Sequence, residues 1–178
     1  MTEKKIKTYN IMLSRVFPAT HPKAGQPTGF SDKVLANFRY PTYDPTLLEH
    51  LKLHTIRANY EYWKKVFDEV ERGYAVINLR QWIGRPYRSK TLLIKTLTSK
   101  DGIGLEKLEI VRTTAFGRPI WMLYLNGRQQ DYNFLKSLAQ NDGLSLEDWF
   151  AWFESYEKNK PMAIIHFTPF RYKPTIEL

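Results

Sequence analysis

No cysteine occurs among the 178 residues, which removes disulfides, thiolate metal sites and cysteine nucleophiles from consideration. No apolar run reaches the length of a membrane span, and the opening Met1-Thr-Glu-Lys-Lys lacks a signal-peptide core. These absences predict a soluble, cytoplasmic protein. His21 has no partner at ligand spacing, so neither a metal site nor another cofactor is expected. Acidic residues are scarce in one half only. Residues 1–100 carry 18 Lys and Arg against 8 Asp and Glu, a net of +10, while residues 101–178 carry 9 against 10. A basic half on a folded chain suits a polyanion such as RNA or DNA, although a solvated basic face serving only solubility has the same composition. Repeats, low-complexity tracts and linkers are also missing, so 1–178 is expected to be one domain able to bury a core. What is abundant is aromatic: 15% of the chain, with five Trp, which marks an ordered protein.

Taken in order, Thr8 to Leu13 alternates as a first strand with Tyr9, Ile11 and Leu13 on one face. An extended loop over residues 15–30, rich in Pro and Gly, follows. His21 and Lys23 on it are placed to meet a phosphate, unless Phe17 and Phe30 simply pack the loop down. Ser31 is positioned to cap a short helix, Asp32 to Asn37. Tyr40-Pro-Thr-Tyr-Asp-Pro45 then breaks the chain, and Thr46 caps a further turn through Leu47 and Leu48. Asn59 caps a helix from Tyr60 to Arg72, ended by Gly73, with an apolar stripe of Tyr62 or Trp63, Val66, Phe67 and Val70. A segment around 99–131 contains a strand from Ile120 to Leu125 and the hairpin signal Asn126-Gly127. Asp131 caps a helix carrying Tyr132, Leu135 and Leu138 inward. Ser145-Leu-Glu-Asp148 reads as a capping box for a helix bearing Leu146, Trp149, Phe150, Trp152 and Phe153, aromatics that suit either core or a partner-binding surface. Met162 to Phe167 is apolar on both faces, as a central strand requires.

Two stretches carry chemistry. In Leu51-Lys52-Leu53-His54-Thr55-Ile56-Arg57, the period of two places Thr55 and Arg57 on one strand face. Lys52 has the opposite parity and reaches that face only from the turn before the strand. The second is Tyr74 to Lys90, where a strand ending near Trp82, a Gly-Arg-Pro-Tyr turn and a strand from Thr91 to Thr98 make a hairpin. Its tip gathers Arg80, Arg85, Arg88 and Lys90 around Trp82 and Tyr87. Arg grips phosphates and aromatic faces stack bases, so this mixture suits single-stranded nucleic acid or a nucleoside. The same residues also serve a plainer purpose if Trp82 and Tyr87 plug one end of the fold.

Lys52-Leu-His-Thr55-Ile-Arg57 resembles the Lys-x-x-Thr-x-Arg strand of ASCH domains, a branch of the PUA-like small β-barrels associated with RNA and modified nucleosides. Leu138 to Trp149 is similar to the family's late acidic segment, and Met162 to Phe167 to its closing strand. The resemblance spans roughly 8–16 and 47–170, with 99–131 as an insertion. Periodicity and hairpin signals predict an α+β fold of mostly short strands with three or four packed helices; the resemblance implies a small, mainly antiparallel PUA-like barrel of five to seven strands. It also implies partners, namely RNA, another single strand or a modified nucleoside. In one bacterial branch a small amidohydrolase acts on N4-acylated cytidines through Lys, Thr and Glu. These fall here on Lys52, Thr55 and Asp142, the last one methylene shorter than Glu. Thr55 would attack the amide carbonyl or orient a water, Lys52 would serve as base if desolvation lowered its pKa, and Arg57 would hold the oxyanion. Lys52→Met would then remove the amine and leave the fold intact. Binding through Arg57 and the hairpin, and catalysis through Lys52, Thr55 and Asp142, stand as two separate expectations.

Overall fold

The computed structural model describes residues 6–39, 51–156 and 160–173; the break at 40–45 and the cap at Thr46 lie outside them. The chain runs β1 (Lys7–Leu13), α1 (Phe30–Arg39), β2 (His54–Ala58), α2 (Tyr60–Glu71), β3 (Ala75–Trp82) and β4 (Thr91–Leu97). It continues through β5 (Gly104–Ala115), β6 (Arg118–Leu125), β7 (Arg128–Gln129), α3 (Tyr132–Asn141), α4 (Leu146–Phe153) and β8 (Met162–His166). Among the described residues this is an α+β fold with four α-helices and mostly antiparallel strands.

The strands do not close into the expected barrel. They form two sheets, β1-β3-β4 and β2-β8-β5-β6-β7. β1 pairs in parallel with β3, and β2 pairs with β8. Where a closed barrel needs a ladder between β1 and β2, a side chain bridges instead: the Arg57 guanidinium donates from Nη2 to the Met12 carbonyl. The seam between the sheets therefore stays open beside Arg57.

Local rules account for most of the elements. Asn59, at φ 65°, caps α2 by accepting from the Tyr62 N–H. Trp63, Val66, Phe67 and Val70 face the core, and Gly73 at φ 71° ends the helix in the left-handed region that glycine adopts without strain. β8 is buried at every position: β2 and β5 pair its two edges, and side chains of both its faces belong to the core. One contiguous core draws on both sheets and all four helices. Among the described residues no helix is long and apolar enough to cross a membrane.

Several expectations need correction. α1 begins at Phe30, so Ser31 lies inside it and caps nothing; the Thr28 hydroxyl accepts from the Phe30 N–H instead. Tyr132 points outward and Phe134 takes the inward place, because the cap at Asp131 sets the helical phase. Ser145 caps α4 by accepting from the Asp148 N–H, yet the Asp148 carboxylate turns to Lys23 rather than completing the box. Trp149 and Phe153 are buried, and Trp121 of β6 packs on Trp149. The aromatic face of α4 is thus core and not partner surface.

Candidate functional site

Lys52 sits just before β2, where its parity requires it to be. It is 1% exposed, and its ammonium donates to both the backbone carbonyl and the carboxylate of Asp142. Its charge also lies 4.1 Å from the centre of the Phe30 ring. Asp142 is the C-cap of α3, and the Leu53 N–H donates to the Asn141 carbonyl at 2.8 Å, which docks the pre-strand segment on that helix end. Lys33 donates to the Gly143 carbonyl at 2.7 Å. Two ammonium groups thus cap the negative end of α3, which explains how a lysine comes to be buried here. Gly143 is required: its φ is 79°, and a Cβ there would meet the Lys52 Cβ at 3.2 Å.

Thr55 is buried, and its hydroxyl has no hydrogen-bond partner among the described residues. Arg57 also keeps a buried Nε without a partner. Lys52, Thr55, Arg57 and Asp142 line one cavity of about 50 Å³, closed by Phe30, Trp152 and Tyr156. That space suits one or two waters or a small acyl group, not a nucleobase. Beside it runs an open groove of about 680 Å³, which shares Leu13, Ser14 and Arg57 with the cavity. The opposite bank of the groove is the hairpin tip, through Trp82, Arg85 and Tyr87. Trp82 and Tyr87 hold their ring centres 5.4 Å apart, and Tyr87 is 90% exposed at φ 60°. Arg15 lines the same groove and donates to the Ile83 carbonyl, fastening the first loop to the hairpin.

Burial holds the Lys52 amine below the ordinary lysine range, with the Asp142 carboxylate opposing the shift. Burial likewise pushes the Asp142 carboxyl up against the pull of Lys52. Desolvation therefore dominates at both partners, and Lys52 is the cation in this cavity most disposed to give up a proton.

The sequence-selected residues divide between two places. Lys52, Thr55, Asp142 and Arg57 converge on the cavity, and Trp82, Arg85 and Tyr87 join Arg57 along the groove. Arg80 does not reach the groove: its Nε donates to the Thr91 hydroxyl at 2.9 Å and braces β3 against β4. Arg88 and Lys90 are exposed on the tip without lining the groove. His21 is no phosphate ligand. It is 3% exposed and stacks on Phe17, its Nε2 lies 3.2 Å from the Asp148 carbonyl, and Lys23 pairs with the Asp148 carboxylate at 2.7 Å. The loop is pinned to α4. Among the described residues no three of His, Asp and Glu are grouped to hold a metal.

A buried polar network behind the cavity has no forewarning in the residue pattern, apart from the parity that sends His54 to the face opposite Thr55. His54 Nε2 meets the Tyr172 hydroxyl at 2.7 Å, and Asn141 donates to the same oxygen at 3.1 Å. His54 Nδ1 lies 3.9 Å from the Asp142 carboxylate, and His166 Nε2 meets Glu106 at 2.7 Å. Burial, followed by the charges of His166 and Lys52, holds His54 well below the ordinary histidine range. Burial lowers His166 too, against Glu106. The unfolded chain takes up these protons near pH 6.5 and the folded chain refuses them, so stability falls as the pH drops below 6.5. A loss of stability between pH 7 and pH 5 is expected from His54 alone. Urea unfolding at the two pH values measures it, and His54→Gln removes that part of the slope.

Comparison with protein-family models, with curated proteins and with solved structures gave no match, and so lends no support to an ASCH assignment.

Proposed function

We propose that the protein binds single-stranded nucleic acid or a modified nucleoside, with a base lying in the groove against Trp82 and Tyr87 and its polar edge turned to Arg57. The observation that carries this is the shared wall at Arg57. There an aromatic, basic groove of nucleoside size meets a buried polar cavity. Trp82 and Tyr87 supply stacking faces, and Arg15, Arg85, Arg88 and Lys90 supply charge along the path of a phosphate backbone. The finer fold reading goes with it: an ASCH-type, PUA-like module opened at the β1–β2 seam, where the groove enters.

Affinity for single-stranded RNA is expected to fall with salt at a log–log slope of about −0.7 per phosphate contact, or roughly −2.8 for four cations. Replacing both Arg85 and Arg88 by Ala halves that slope. Trp82→Ala costs on the order of 1–3 kcal/mol and leaves the slope alone, because stacking carries no net charge. Titrations at 50 and 200 mM salt separate the two effects. No binding at the lower salt rules the proposal out.

A second reading rests on the unpaired Thr55 hydroxyl beside the Lys52–Asp142 pair. In an N4-acylcytidine amidohydrolase, the base stays in the groove and only the acyl group enters the cavity. Thr55, or a water it orients, adds to the amide carbonyl as Lys52 in its neutral form takes the proton, and Arg57 faces the oxyanion. Collapse passes that proton from Lys52 to the departing N4 amine, giving cytidine; where Thr55 attacked, water then hydrolyses the acyl ester and frees the carboxylic acid.

A further inference from the structure

β8 pairs with β5 only from Gly104 to Leu108, whereas β5 and β6 stay paired as far as Ala115 and Arg118. Beyond β8 the hairpin is a two-stranded ribbon, and from Thr113 to Ile120 it is mostly exposed. At its tip stands Phe116, 104% exposed.

The turn does not call for that residue. Phe116 and Gly117 form a two-residue loop with φ of 52° and 72°, and the chain builds the same loop at Asn126 and Gly127, with φ of 50° and 83°. Asn tolerates the left-handed region and favours this turn, while Phe meets steric strain there. Folding alone therefore favours Asn at position 116, on grounds of strain and of hydration. Charge points to what meets the ring. From Ile110 to Gln130 the chain carries three Arg and no Asp or Glu; Arg112 pairs with Glu154 at 3.8 Å, which leaves Arg118 as the cation nearest the tip. Arg118 is exposed beside Phe116, and Arg112 stacks on Trp121 at 4.4 Å. An exposed aromatic in left-handed backbone among arginines is also how the Tyr87 tip is built. No residue of the Phe116 tip lines the groove or the cavity.

We propose that the β5–β6 ribbon is a second contact for a polynucleotide, Phe116 stacking on a base and Arg118 meeting the adjacent phosphate. This rests on the nucleic-acid reading of the groove and narrows it: the partner is a strand long enough to make a contact outside the groove, and not a free nucleoside.

The test uses a labelled 20-nucleotide oligouridylate and cytidine 5′-monophosphate as probes, with the full chain and its Phe116→Asn, Phe116→Trp and Trp82→Ala variants. Phe116→Asn is expected to weaken oligouridylate binding about tenfold. It should leave the mononucleotide affinity unchanged and hold or raise the thermal midpoint, and Phe116→Trp should restore strand binding. Equal oligouridylate affinity in wild type and Phe116→Asn overturns the inference. With phosphatidylserine vesicles as a third probe, a Phe116→Asn loss confined to the vesicles overturns it as well and identifies a lipid surface as the partner. If Trp82→Ala weakens both probes and Phe116→Asn neither, the groove reading stands and the ribbon contact falls. If Trp82→Ala changes neither probe, the groove reading falls first.

Discussion

Replacing Lys52 by methionine is expected to lower stability by about 3–5 kcal/mol, because it strands the Asp142 carboxylate in a site where it was paired. The two side chains are almost wholly buried, and their link joins the segment before β2 to the end of α3. Methionine keeps the stem and its packing, so the loss reports the charge and not a cavity. The double variant Lys52→Met/Asp142→Asn removes both charges and should recover most of the loss. Urea unfolding curves of the three proteins, compared at constant slope, give the coupling. A Lys52→Met protein within 1 kcal/mol of wild type would show that the pair braces nothing. The substitution that looks fold-neutral from the sequence is therefore a stability probe, and any catalytic assay of it must be read beside its unfolding curve.

Thr55→Val is the cleaner probe of chemistry. The hydroxyl has no partner to lose, so the variant should unfold at the same urea concentration as wild type. If the cavity hydrolyses N4-acetylcytidine, wild type releases acetate and Thr55→Val loses at least about a hundredfold in kcat, the range expected when an activated nucleophile is removed. Ligand binding should survive, because the groove is untouched. Acetate release that persists in Thr55→Val would exclude Thr55 as the attacking group. Bound N4-acetylcytidine with no acetate from wild type would leave binding as the whole role of the site.

What was legible in the sequence was local. Asn59 and Gly73 bracket α2, the hairpin around Trp82 and Tyr87 announces itself by composition, and β8 shows its burial as an unbroken apolar run. The division into two sheets was hidden, because it depends on β1 choosing β3 and β2 choosing β8 across long separations, and pairing partners leave little mark on composition. Lys52, Thr55 and Arg57 stand out in the strand pattern, whereas Asp142 comes only through the resemblance, since nothing in local pattern brings it to Lys52, 90 positions earlier. Arg80, Arg88 and Lys90 were grouped with the groove because charge density along a hairpin does not say which way each side chain leaves it. Arg15 was missed for the opposite reason, as a lone cation at the head of a long loop. Tyr172, His166 and Glu106 were invisible as a unit: each looks ordinary until the fold closes around His54.

β8 also governs when the molecule can exist at all. Among the described residues it is the last strand in chain order, yet it lies inside the larger sheet, between β2 and β5. Until residues 162–166 emerge, β2 has no ladder to join and β5 presents an open edge. The nascent chain must carry β2 unpaired, and the β5–β6 hairpin with one open edge, until then, a state in which neighbouring chains can pair with them. Helix α2 and the β3–β4 hairpin can form early, but the Lys52 cavity cannot, because its β2 wall is held by β8. Assembly of the site is thus a late event in vectorial synthesis, and a chain interrupted before Met162 is a candidate for chaperone capture rather than a smaller working domain.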